Sequence, residues 1–136
     1  MKNSTMGFFE KLTNAFTGVE APSEEETVWN HVSSEEEIDK ILRSSNERKQ
    51  VVYKHSPSCG VSYFALRNLN EPELLGNQEI DFHLIDVISE RAISKSFAER
   101  VNVRHESPQI FVLNQGGVIW HDSHNSVTAK NVLSHI

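Results

Sequence analysis

Cys59 is the only cysteine among 136 residues, and its setting is that of a reactive group. It lies in the stretch Lys54-His55-Ser56-Pro57-Ser58-Cys59-Gly60-Val61-Ser62. The apolar run Val51-Val52-Tyr53 before it predicts a buried strand, and Val61 to Leu69 after it predicts a helix. A thiol at a strand-to-helix turn meets outward-pointing backbone N–H groups and the positive end of the helix dipole, both of which favour the thiolate. The competing role for a lone cysteine is that of a small buried hydrophobe. Placement at a helix start favours chemistry over packing. Positive charge on Lys54 or His55 would lower the thiol pKa further, and strand alternation lets only one of the two face it. His105 is a further candidate for that role. Ser62, in the first turn, is placed to donate a hydrogen bond to the thiolate. His121 and His124 with Cys59 match no compact zinc-ligand spacing, so no metal is expected.

Composition narrows the function classes. The net charge is −6 and no block of Lys or Arg stands out, so no electrostatic footprint for nucleic acid is present. One cysteine excludes an internal disulfide, and the natural setting is a reducing cytoplasm. No apolar run reaches transmembrane length, and Glu10 and Lys11 interrupt any signal-peptide core. A cytoplasmic location is therefore expected.

The elements that must position the thiol divide into an N-terminal segment, 1–26, and a domain, 27–136. In the segment, Phe8, Phe9, Leu12, Ala15 and Phe16 fall at helical spacing, and a linker rich in Glu follows. The segment lacks the basic face of a membrane-surface helix. The domain opens with a strand over Thr27–Val32. Ser34 with Glu37 then forms a capping box for a helix from Glu35 to about Ser45. A strand over Gln50–His55 leads into the cysteine turn and its helix, which Asn70-Glu71-Pro72 breaks before a loop at Gly76-Asn77. A third strand spans Ile80–Val87, and a helix opening at Ser89-Glu90-Arg91 carries Ile93, Phe97 and Val101 on one face. Gln109–Leu113 and Val118–His121 flank the turn Asn114–Gly117 as a hairpin. A last helix runs from near Ser126 to Ile136. The order β-α-β-α-β-α-β-β-α predicts a mixed α/β sandwich.

With the cysteine after the second strand and Ser107-Pro108 opening the fourth, this order resembles the thioredoxin-like fold. Three stretches resemble the monothiol bacilliredoxins of the YtxJ type: Lys54-His55-Ser56 through Cys59, His105-Glu106-Ser107-Pro108-Gln109, and Gly117 through Trp120-His121-Asp122-Ser123-His124. The resemblance covers roughly 27–136. It implies a sheet order of 1-3-2-4-5 with the fourth strand antiparallel. That order gathers Cys59, Asp86, Pro108 and His121–His124 along one edge. It also implies a cis Pro108, with Ser107 and Pro108 holding an extended substrate beside the thiol. By the same resemblance, Ser62 stands where a dithiol thioredoxin carries its resolving cysteine, so a mixed disulfide at Cys59 needs an outside thiol for release.

The turn departs from the family in one place. Glycine stands at position 60 where these proteins usually carry proline, and Ser58-Cys59-Gly60-Val61-Ser62 is also similar to the Cys-Gly-Phe-Ser of monothiol glutaredoxins. Some of those share an iron–sulfur cluster across a dimer, which makes a cluster carrier one alternative. An inert thioredoxin-like interaction module is the other. The expected function is a monothiol thiol-disulfide oxidoreductase. Cys59 is its catalytic residue, Ser107, Pro108, His121 and His124 bind substrate, and His55 and Ser62 tune the thiolate. By resemblance the co-substrate is a small thiol, bacillithiol, with no bound cofactor. The partners are S-thiolated proteins and a reducing partner.

Overall fold

A computed structural model of the protein describes residues 28–136. The amphipathic pattern expected within 1–26 lies outside the described residues. Strands β1 (Asn30–His31), β2 (Gln50–His55), β3 (Asp81–Asp86), β4 (Gln109–Asn114) and β5 (Gly117–Ser123) form one sheet of order β1-β3-β2-β4-β5. The pairs β1–β3 and β2–β3 are parallel, and β2–β4 and β4–β5 are antiparallel. This is the order and polarity that the thioredoxin resemblance implies.

Helices cover both faces, and the strands alternate accordingly. Val51, Tyr53, Ile110 and Val112 pack toward α2 (Gly60–Leu69), the one-turn α3 (Pro72–Leu75) and α5 (Ala129–Leu133). Val52, Phe111 and Leu113 pack toward α1 (Glu35–Ser44) and α4 (Arg91–Val101), with Ile38, Ile41 and Phe97. The central strands β2 and β4 are buried on both faces, which is why they read as continuous apolar runs. Each fully buried side chain there contributes roughly 2 kcal/mol.

Local chemistry explains most boundaries. Ser34 caps α1 by accepting the Glu37 N–H at 3.2 Å, as expected, and Glu37 Oε1 in turn accepts the Ser34 hydroxyl and the Ser33 N–H and hydroxyl. The hairpin turn is Gln115-Gly116, both at positive φ, the two-residue turn that matches strand twist. Its N–H groups donate to the carbonyl and hydroxyl of buried Ser45 at the end of α1.

Two expectations need correction and one needs extending. The first strand is Asn30–His31 only, because Trp29 turns into the core against Tyr53 and Phe82 and donates to Asn70. The break expected at Asn70-Glu71-Pro72 holds, with α2 ending at Leu69, but Pro72 also starts the short α3, since proline at a first helical position loses no helical bond. The last helix begins after Thr128, whose hydroxyl accepts the Asn131 N–H, and a 3₁₀ turn over His124–Ser126 precedes it.

At the strand starts, far from Cys59, His83 bonds Gln50 Oε1 at 2.7 Å. Burial pushes its pKa down to about 4. The folded state thus binds fewer protons than the unfolded one between these values, so this contribution is full above pH 6.5 and is lost as pH falls toward 4. Urea titrations from pH 7 to 4 should show stability falling by about 1 kcal/mol per pH unit through that window. The decline should be shallower in His83→Gln.

Candidate active site

The turn from β2 into α2 presents the thiol. Cys59 is the N-cap of α2 with an extended backbone, its N–H donating to the Ser56 carbonyl at 3.0 Å. The half-buried thiol makes no capping hydrogen bond. Its ionised form is favoured by the Ser62 and Val61 N–H groups, in that order, with a smaller contribution from the Ser62 hydroxyl. Burial opposes the shift, but the net pKa is lowered. First-turn amides have no helical acceptor, so an anion at the N-cap uses groups that are otherwise unpaired.

Ser62 is fully buried and fixes this turn from within. Its hydroxyl accepts the Ser56 N–H at 3.2 Å, and its carbonyl accepts the Tyr53 hydroxyl at 2.9 Å. The Tyr53 oxygen is also 3.1 Å from His55 Nδ1. Burial holds the Tyr53 phenol well above its usual range, so it stays protonated.

Alternation separates Lys54 from His55. His55 shares the α2 face with Tyr53, and burial lowers its pKa, so at neutral pH the imidazole is uncharged. Lys54 points to the opposite face, fully buried beneath α4. The lowering at Cys59 traces to amides and the Ser62 hydroxyl, with neither basic side chain among its causes.

Across the sheet edge, the register Lys54↔Gln109 sets the start of β4 beside the end of β2. The Ser107–Pro108 peptide is cis. Ser107 Oγ is buried without a hydrogen-bond partner, the one such side-chain atom among the described residues. The loop is braced from several sides. Gln109 accepts the Glu106 N–H at 3.0 Å and donates to the Arg104 carbonyl at 2.9 Å. The Ser123 hydroxyl donates to Glu106, which holds that carboxyl low, and the His124 N–H donates to the Pro108 carbonyl at 3.0 Å. Sequence reading missed Glu106, Gln109 and Ser123 in this role. The run His105–Gln109 was the available signal, but its partners are remote in sequence.

The structure separates the two histidines of β5's end. His124, at φ +56°, follows the strand and adjoins the proline loop. His121 pairs with Phe111 and lies on the sheet face away from α2. Asp86 ends β3 on the same edge. Burial pushes its carboxyl up, but the Ser89 and Ile88 N–H groups outweigh this and hold it low. Beside the thiol, α2 exposes Val61, Tyr63 and Phe64. A cavity of about 660 Å³, lined by Asn30, Glu37, Lys40 and His83 among others, opens near the strand starts and includes none of these residues.

Residues 30–132 match the family described as monothiol bacilliredoxin BrxC. Among solved structures, a protein with a thioredoxin fold is 25% identical, with a TM-score of 0.73 over 84% of this chain and 98% of that one. Mitochondrial thioredoxin 3 from Saccharomyces cerevisiae, in its oxidized form, is 13% identical, with a TM-score of 0.60 over 82% and 95% of the two chains. Thioredoxin NaTrxh from Nicotiana alata is 19% identical, with a TM-score of 0.61 over 78% and 90%. The last two show the fold alone.

The arrangement makes the thiolate depend chiefly on backbone amides. Alkylation of Cys59 followed against pH should give an apparent pKa below that of a free cysteine. In Ser62→Ala the value should rise but stay below the free one, because the first-turn amides remain. The same change leaves the Ser56 N–H without its acceptor, so stability should fall by about 1 kcal/mol in urea unfolding.

Proposed function

The chain belongs to the monothiol bacilliredoxin BrxC family of thioredoxin-fold thiol oxidoreductases, and from that premise we propose that it removes a low-molecular-weight thiol from mixed disulfides on proteins. The observation that carries this reading is one activated thiol at a helix N-terminus with serine, not cysteine, at position 62. Cys59 as thiolate attacks the small thiol's sulfur in the mixed disulfide. A bond forms between Cys59 Sγ and that sulfur, the bond to the protein sulfur breaks, and the protein leaves as a thiolate that takes a proton from water. The exchange involves no net oxidation.

Release follows the same chemistry. A second small-thiol anion attacks the adduct, forms the small-molecule disulfide and returns the Cys59 thiolate. A reductase acting on that disulfide is the reducing partner. By family resemblance the small thiol is bacillithiol, with S-thiolated proteins as clients and the cytoplasm as the setting. Among the described residues no helix is long and apolar enough to cross a membrane. Ser107 and Pro108 would orient the client's extended backbone, with His124 at the loop's edge. His121, on the other sheet face, would reach only a substrate that wraps the edge. Ser62 tunes the thiolate, while a neutral His55 acts through Tyr53 and the α2 turn. No bound cofactor is required by this exchange.

The decisive assay follows a bacillithiol-modified protein by mass. Wild-type chain should remove the adduct and carry it transiently on Cys59, and Cys59→Ser should lose activity completely. Retained activity in that variant would sink the catalytic assignment. A second experiment tests the one-thiol logic. In Ser62→Cys the new thiol is one helical turn from Cys59 and should attack the adduct from within. It should release bacillithiol without added thiol and leave an internal disulfide, seen as a loss of two hydrogen masses.

A further inference from the structure

We propose that Lys54 is a positioning residue: through His105 it fixes the Ser107–Pro108 loop beside Cys59. The inference rests on the reading that this loop holds the substrate. Lys54 is fully buried on the α1/α4 face of the sheet, five residues before Cys59. Its Nζ donates to the Ser94 carbonyl of α4 at 3.1 Å and to His105 Nδ1 at 3.0 Å. It also lies 5.7 Å from the Phe111 ring centroid and 6.0 Å from that of Phe97. Among the described residues no carboxylate forms an ion pair with it.

An ammonium so placed is a costly way to fill apolar space, and a methionine would pack there at lower cost. What the ammonium adds is a directed bond. That bond runs from the end of β2, the strand that delivers Cys59, to the loop that carries Pro108. His105 is otherwise an exposed residue, and Nδ1 is its link to the body of the domain. To accept from Lys54, the ring must be neutral with its proton on Nε2. Burial, and then the Lys54 charge itself, lower the His105 pKa and keep it so, against an opposing pull from Glu106. Gln109 and His124 brace the loop near Glu106 and Pro108. Lys54 supplies the anchor on the other side, two residues before Ser107.

The link acts on position and not on the thiol. Neither Lys54 nor His105 is among the causes that lower the Cys59 pKa. Steady-state kinetics on a peptide carrying bacillithiol in disulfide linkage would test this, using full-length chain. Lys54→Met and His105→Ala should each lower kcat/KM about tenfold, with KM taking the larger share. The pH profile of Cys59 alkylation should stay that of wild type. His105→Asn, whose Oδ1 can accept from Lys54, should recover most of the loss. An unchanged kcat/KM in His105→Ala, a parallel shift of the alkylation profile, or an asparagine variant no better than alanine would each overturn the proposal. His105→Ala leaves the core intact, so the test survives a Lys54→Met protein that fails to fold. Activity retained in Cys59→Ser would instead overturn the functional reading itself.

Discussion

The antiparallel register of β2 against β4 is the constraint on which the site depends. Pairing Lys54 with Gln109 puts the penultimate residue of the thiol's strand opposite the residue that follows Pro108. The strands are held there by burial on both faces, since Val51, Val52, Tyr53, Ile110, Phe111 and Val112 are all fully buried. A one-residue slip of β2 would exchange Val51, Val52 and Tyr53 between the two faces. It would also carry Lys54 to the α2 side, away from the Ser94 carbonyl and His105. Packing of apolar side chains therefore sets the distance between thiol and loop, although no apolar side chain takes part in the exchange.

Within that frame, no basic side chain among the described residues is a cause of the lowered Cys59 pKa. The Tyr53 hydroxyl ties His55 and the Ser62 carbonyl together, and burial keeps the imidazole neutral. The lysine is turned away to the other face. What remains for the sulfur is the helix terminus and one hydroxyl. Amides at a helix start are fixed by the backbone and keep their polarity at any pH. A thiolate held this way depends on its own titration alone, whereas one paired to a histidine would also follow that residue's titration.

The opposite wall is built from side chains that bond backward into their own loop. Gln109 closes the Arg104–Glu106 stretch, Ser123 holds Glu106, and His124 holds Pro108. Ser107 Oγ is buried there without a partner. A buried hydroxyl in that condition gains from a partner that a substrate could bring.

Much of this was determined by the sequence alone, because it rests on local rules. The strand-to-helix turn at Cys59, the Ser34 cap, the hairpin before Val118 and the lack of a second cysteine are all readable from spacing and residue type. The one-turn helix at Pro72 and the late start of α5 were not, since a short helix and a threonine cap carry little periodic signal. Tertiary structure alone decided which of Lys54 and His55 faces the thiol, because alternation makes two faces without saying which one α2 covers. It also parted His121 from His124 and joined Glu106 to Ser123, pairings that exist only once β5 has its register. Contacts between residues far apart in the chain are set by global packing, and no local pattern encodes them.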